Sequence, residues 1–186
     1  MKSLLILFLS LPLCALAQTD FYAYPGTENL VEGGWVDKLT VVSGNLQFNI
    51  RPPKGWRREV DEIGHKILFT APSSRSAITV QFTPNAPAAL PSRDTLRKQA
   101  LLDHPGAGLL QSAVCPTGYR PGVLFDLVYM PAPRLIQKVR HAFVPLPSGR
   151  AEFVLSASDD EFQKNSIVIM GMLRAFRAAP IQPKHP

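Results

Sequence analysis

Cys115, four histidines (His65, His104, His141 and His185) and the acidic run Asp159-Asp160-Glu161 are the side chains with which this sequence could do chemistry. A thiol becomes a nucleophile only beside a base, and the base works best when a carboxylate orients it. Cys115, His141 and Asp126 are therefore the triad that neighbouring strands could assemble. Spacing gives that triad no support: the chain holds no Gly-x-Ser-x-Gly elbow, no His-Glu-x-x-His helix, no phosphate-cradling glycine loop and no Cys-x-x-Cys pair. His141 stands among apolar residues at strand spacing and is read as a hydrogen-bonded core histidine, and Cys115 beside Val114 as a small buried apolar group. His104, just before Pro105-Gly106, suits a helix C-terminus, where positive charge is favoured. The run Asp159-Asp160-Glu161 is explained by helix capping without a cation. No catalytic residue, cofactor or metal is expected, and a small secreted enzyme using Cys115 or His141 is the alternative.

Binding is the other chemistry open to the chain. It has 20 Lys and Arg against 14 Asp and Glu, a formal charge of +6 at pH 7, which favours anionic partners or surfaces. The densest basic cluster is Arg51, Lys54, Arg57 and Arg58, and it encloses Trp56. These five residues are the candidate binding surface. One reading is a groove beside Trp56 and Arg57 that receives another envelope protein; the other is a single basic patch adhering to an anionic envelope surface. Nucleic acid is not expected, because no nucleic-acid-binding module is recognisable.

The elements that must position these residues follow from periodicity. Leu46, Phe48 and Ile50 alternate with polar residues as a half-buried strand does, Pro52-Pro53 ends the run, and Lys54-Gly55 turns the chain into Trp56. Strands are expected at 67–70 and 78–83, close enough to the first to form a meander, then a helix entered at Ser92 with Leu96 and Ala100 buried. A weakly marked strand at 109–115 is followed by three stronger ones. On these, Phe125, Leu127 and Tyr129 share a face, Val139, His141 and Phe143 share another, and Ala151, Phe153 and Leu155 oppose Glu152, Val154 and Ser156. Ser158 to Glu161 is a capping box opening a helix whose stripe is Phe162, Ile169, Leu173 and Phe176. Three strands, a helix, four strands and a helix, joined by hairpin-length turns, define an α+β fold with a mostly antiparallel sheet.

Compartment and boundaries come from the ends. Lys2, the apolar run Leu4 to Leu13 and Ala15-Leu16-Ala17 have the form of a cleavable signal peptide at 1–17, which implies an exported, periplasmic or secreted protein. The run is about ten residues, short of the roughly 20 that cross a bilayer, and no transmembrane segment is expected after cleavage. Cys14 would leave with it, so Cys115 has no intramolecular disulfide partner. Residues 18–44 are expected as an irregular lead-in with a possible edge strand, 45–177 as the α+β domain, and 178–186 as a flexible proline-rich tail.

Three stretches carry a resemblance to a known fold superfamily: Phe48-Asn49-Ile50-Arg51-Pro52-Pro53-Lys54-Gly55-Trp56-Arg57; the strand ending at Phe69 with Ala71-Pro72 and then Ile78 to Phe82; and Gly149 to Ser158 running into Phe162 and the helix that ends Leu173-Arg174-Ala175-Phe176-Arg177. Together they resemble the photosystem extrinsic PsbP proteins, the Ran-binding Mog-type proteins and the bacterial DcrB-like lipoproteins. The resemblance spans roughly residues 45 to 177. It implies an α/β/α sandwich with a central, mostly antiparallel sheet, and a protein that binds or scaffolds others without a shared catalytic constellation. No partner-binding motif of any subfamily matches this chain.

Overall fold

The computed structural model describes residues 20–84 and 86–181; the expected signal peptide lies outside the described residues. Six strands precede the first helix: β1 (Phe21–Asn29), β2 (Trp35–Ser43), β3 (Leu46–Ile50), β4 (Arg57–Asp61), β5 (Lys66–Thr70) and β6 (Ser76–Pro84). After them come α1 (Arg93–Leu102), β7 (Gly108–Cys115), β8 (Gly122–Ala132), β9 (Leu135–Leu146), β10 (Gly149–Ser158), α2 (Asp159–Ala175) and β11 (Arg177–Pro180). Antiparallel pairing builds two sheets, one ordered β1-β2-β3-β11 and one ordered β4-β5-β6-β10-β9-β8-β7. Among the described residues no helix is long and apolar enough to cross a membrane.

Period-two alternation sorts the seven-stranded sheet into two faces. One face carries Ile67, Phe69, Ile78, Val80, Phe82, Ala142, Val144, Ala151, Phe153 and Leu155, and it packs against Phe162, Ile169, Met172 and Leu173 of α2 together with Leu39, Val41, Phe48 and Ile50 of the smaller sheet. Phe48 lies 4.8 Å from Phe82 and 5.9 Å from Phe176, ring centre to ring centre, so the aromatics join the two sheets. The opposite face carries Phe125, Leu127, Val139 and Phe143 and is covered by Leu96 and Ala100 of α1. The result is an α+β sandwich: α1 on one side, the long sheet in the middle, and α2 beside the small sheet on the other.

The faces expected for β8, β9 and β10 are the faces observed, and Leu96 and Ala100 are the buried pair of α1. Four expectations are corrected. The lead-in is not irregular, because β1 and β2 pair from Phe21 with Ser43 to Asn29 with Trp35, and β2 is an interior strand. The first three expected strands are not one meander: β3 pairs with β2 and β11, while β5 pairs with β4 and β6. Pro52-Pro53 interrupts the ladder and the following turn carries the chain from the small sheet to the large one. The start of the expected tail is strand, Ala178 standing opposite Phe48. Finally, Ser158 occupies the N-cap of α2 but its hydroxyl caps nothing. Glu161 turns away from it to accept from Ser76 Oγ at 2.6 Å, Ser73 Oγ at 3.0 Å and Arg75 Nη2 at 3.0 Å.

Candidate functional site

The turn before β4 is made by sequence. The amide of Trp56 donates to the carbonyl of Pro53 at 3.2 Å, and Gly55, third in that turn, has φ +78°, a conformation that glycine takes without steric penalty. The turn holds Trp56 half-buried against the edge of the larger core, with Lys54 and Arg58 exposed around it. Trp56 thereby separates two grooves of about 490 Å³ each. One is lined by Pro25, Gly26, Asp37, Lys38, Pro52, Pro53, Lys54, Gly55 and Arg58; the other by Lys54, Ala71, Pro72, Ser73, Glu161, Lys164, Asn165 and Val168. Their walls mix proline, indole and alkyl surface with lysine and arginine heads.

Of the five residues expected to form the surface, three come together here: Lys54, Trp56 and Arg58. Arg51 faces elsewhere, donating to Glu28 at 3.3 Å and lining a hollow with Arg174 and Arg177 at the end of α2. Arg57 pairs with Glu59 at 3.2 Å, and its cross-strand partner is Thr70, whereas that of Arg58 is Phe69. Successive residues of a strand point to opposite faces, so Arg57 and Arg58 diverge. The single basic patch is thus split into separate parts.

Lys38 and Asp37 on one wall, and Lys164 and Asn165 on the other, were not read from the sequence. The first pair sits on β2, taken only as a possible edge strand, and the second lies on α2 beyond its apolar stripe. Nothing local marks either pair as lining a groove.

The structure separates the three side chains of the conceivable triad. Cys115 is fully buried in the face shared with α2, and burial pushes its thiol up to about 11 despite the nearby Arg140 cation, so the thiolate is disfavoured at neutral pH. Asp126 is held by Arg140 through two hydrogen bonds of 2.7 and 2.8 Å. His141 pairs instead with Phe125 across the ladder and projects toward α1, on the opposite face from Asp126. Its Nδ1 lies 2.7 Å from Glu152 Oε1. The Cys115, His141 and Asp126 triad that neighbouring strands could have formed is not assembled.

Around that histidine there is a second polar centre. His104, after the end of α1, stands edge-on to His141 with ring centres 5.2 Å apart, and its pKa is lowered first by burial and then by the charge of His141. Asp103, His141 and Glu152 each offer one metal-ligating atom, and the three atoms lie within 4.8 Å of one another. The signal for Glu152 was present in the alternation of β10, since it shares with His141 the face turned to α1; Asp103 required the tertiary fold. The carboxylates at the start of α2 hold no such centre, because Asp159 pairs with Lys138 at 2.6 Å, and Asp160 and Glu161 with Arg75.

The arrangement of layers and edges places the chain in a known fold. No family model matches the sequence, and no curated protein matches it. Solved structures do. The Ran-binding protein Mog1p of Saccharomyces cerevisiae superposes with a TM-score of 0.51 at 12% identity, covering 84% of this chain and 96% of that one. LpqN of Mycobacterium tuberculosis, a protein involved in cell envelope biogenesis, gives 0.53 at 12% identity, covering 86% and 92%. The cyanobacterial PsbP of Synechocystis gives 0.45 at 11% identity, covering 83% and 92%. The sandwich expected from the three sequence stretches is the fold observed, and the chain shares it with Mog1p and LpqN.

Proposed function

We propose that this chain is an exported, non-enzymatic binding or assembly protein of the bacterial envelope, and that the Trp56 turn is its recognition surface. The observation that carries the reading is the pair of grooves on either side of a half-buried tryptophan. An indole already packed on the core loses little freedom on binding, and Lys38, Lys54, Arg58 and Lys164 surround it with positive charge. A matching partner is a protein segment with acidic residues flanking an apolar or proline-containing stretch. Export is supported by Lys2, Leu4 to Leu13 and Ala15-Leu16-Ala17. The absence of an assembled Cys115 triad and the presence of a Ran-binding protein and a protein involved in cell envelope biogenesis among the superposed structures are in keeping with this reading.

Site-specific photo-crosslinking in cells tests it. A crosslinking amino acid at position 38 or 54 is expected to capture a discrete envelope protein, and one at Leu102 on α1 is not. Equal capture from both faces, or none from the groove, would overturn the assignment.

A further inference from the structure

We propose that the outer edge of β7 pairs antiparallel with the β7 of a second copy of this chain, so that two seven-stranded sheets run on into one. The two sheets of the molecule end in four edge strands, β1, β11, β4 and β7. Three of them carry residues that obstruct pairing. β1 has Pro25 and Glu28, β11 is four residues long with Arg177 and Pro180, and β4 has Arg57, Arg58, Glu59 and Asp61. β7, Gly108 to Cys115, runs for eight residues with no charge and no proline. Such an edge presents backbone N–H and C=O groups that another extended strand matches in spacing and direction.

The second observation is the side chains. Leu109, Leu110 and Val114 are 39%, 54% and 62% exposed. Leu109 stands opposite Leu127, and Val114 opposite Val123, on the side of the sheet that α1 covers, yet at this end the apolar cluster beneath α1 stops at β8. A strand laid along β7 sets its own side chains against them. Symmetry and charge name that strand. An antiparallel edge is its own complement under a twofold axis, the commonest symmetry of soluble oligomers. Opposite residues of such a pair share a face, so the axis lies level with one residue. At Ala113 it sets Gln111 opposite Cys115 and Ser112 opposite Val114, with small side chains at the centre and no charge to bury. The bulge between Leu109 and Gln111 bounds the ladder on one side and Pro116 on the other. A contact of that length falls short of the roughly 1,200 Å² of a stable complex, so the dimer is weak and depends on concentration.

Sedimentation equilibrium of the mature chain under reducing conditions tests the pairing. The weight-average mass is expected to rise from one chain toward two between about 1 and 500 μM, and to do so equally at about 1 M NaCl, because no ion pair holds the edge. Ser112→Lys and Val114→Lys, both at exposed positions, should each weaken association at least about tenfold while the Tm in dilute solution stays unchanged. Val60→Lys, on the β4 edge, should associate like the wild type. A single-chain mass at every concentration would leave the edge to an extended segment of another protein and overturn the pairing. A dimer left intact by both Ser112→Lys and Val114→Lys would overturn it as well, since the interface would then lie elsewhere.

Discussion

The two faces of the seven-stranded sheet divide the labour of this molecule. The face toward α2 and the small sheet is built from phenylalanines in a chain of ring contacts, Phe82 to Phe48, Phe48 to Phe176 and Phe176 to Phe153. The face toward α1 has a smaller apolar cluster and shares it with His141, Glu152 and Arg150. Stability therefore rests on the first face. Each face also admits one buried polar pair, Asp126 with Arg140 on the first and His141 with Glu152 on the second, where a short helix covers less of the sheet. The groove beside Trp56 follows the same logic, lying at the rim of the large core where the turn leaves an aromatic half covered.

Truncating the two cores in parallel is the strongest way to break this comparison. Phe153→Ala removes a ring packed edge-on to Phe176 at 5.3 Å and should destabilise by about 4 kcal/mol; Leu96→Ala, beneath α1, should give about 3 kcal/mol, both read from urea unfolding. A reversed order would mean that the α1 face carries the fold. Next in size is Arg140→Ala, which strands the buried Asp126 carboxylate and is expected to lose about 3 kcal/mol; Arg140→Ala combined with Asp126→Ala should be milder.

A smaller effect sharpens the role of the first turn of α2. The Ser76 hydroxyl foremost, then Ser73 and Arg75, hold the Glu161 carboxyl below its ordinary range. A depressed carboxyl stabilises the fold fully above its unfolded pKa and loses that contribution as pH falls through the folded value. Wild-type Tm should hence fall more steeply below about pH 4 than that of Glu161→Gln, and parallel curves would remove Glu161 from the account.

What the sequence made legible follows burial. On β8, β9 and β10 every second residue is apolar because both faces are covered asymmetrically, and the alternation could be read directly. β1 escaped because Pro25-Gly26 reads as a turn; as an edge strand it tolerates the proline. β4, Arg57 to Asp61, is exposed at all five positions and has no apolar period to find, and its charges blunt the edge of the large sheet. Lys54 and Trp56 were legible through their turn, yet the clustering of Arg51, Lys54, Arg57 and Arg58 in sequence overstated their proximity, since strand alternation and the Glu28 ion pair separate them. The capping box likewise named the right helix start with the wrong contact. The Glu161 partners come from Ser73 to Ser76, far away in sequence.

Affinity of the crosslinked partner for the Trp56→Ala chain, measured with the purified proteins beside Lys54→Glu, tests the binding surface most directly. Loss of at least about tenfold in affinity for each variant, with folding retained, is the predicted result. Unchanged affinity in both would place recognition elsewhere on the molecule.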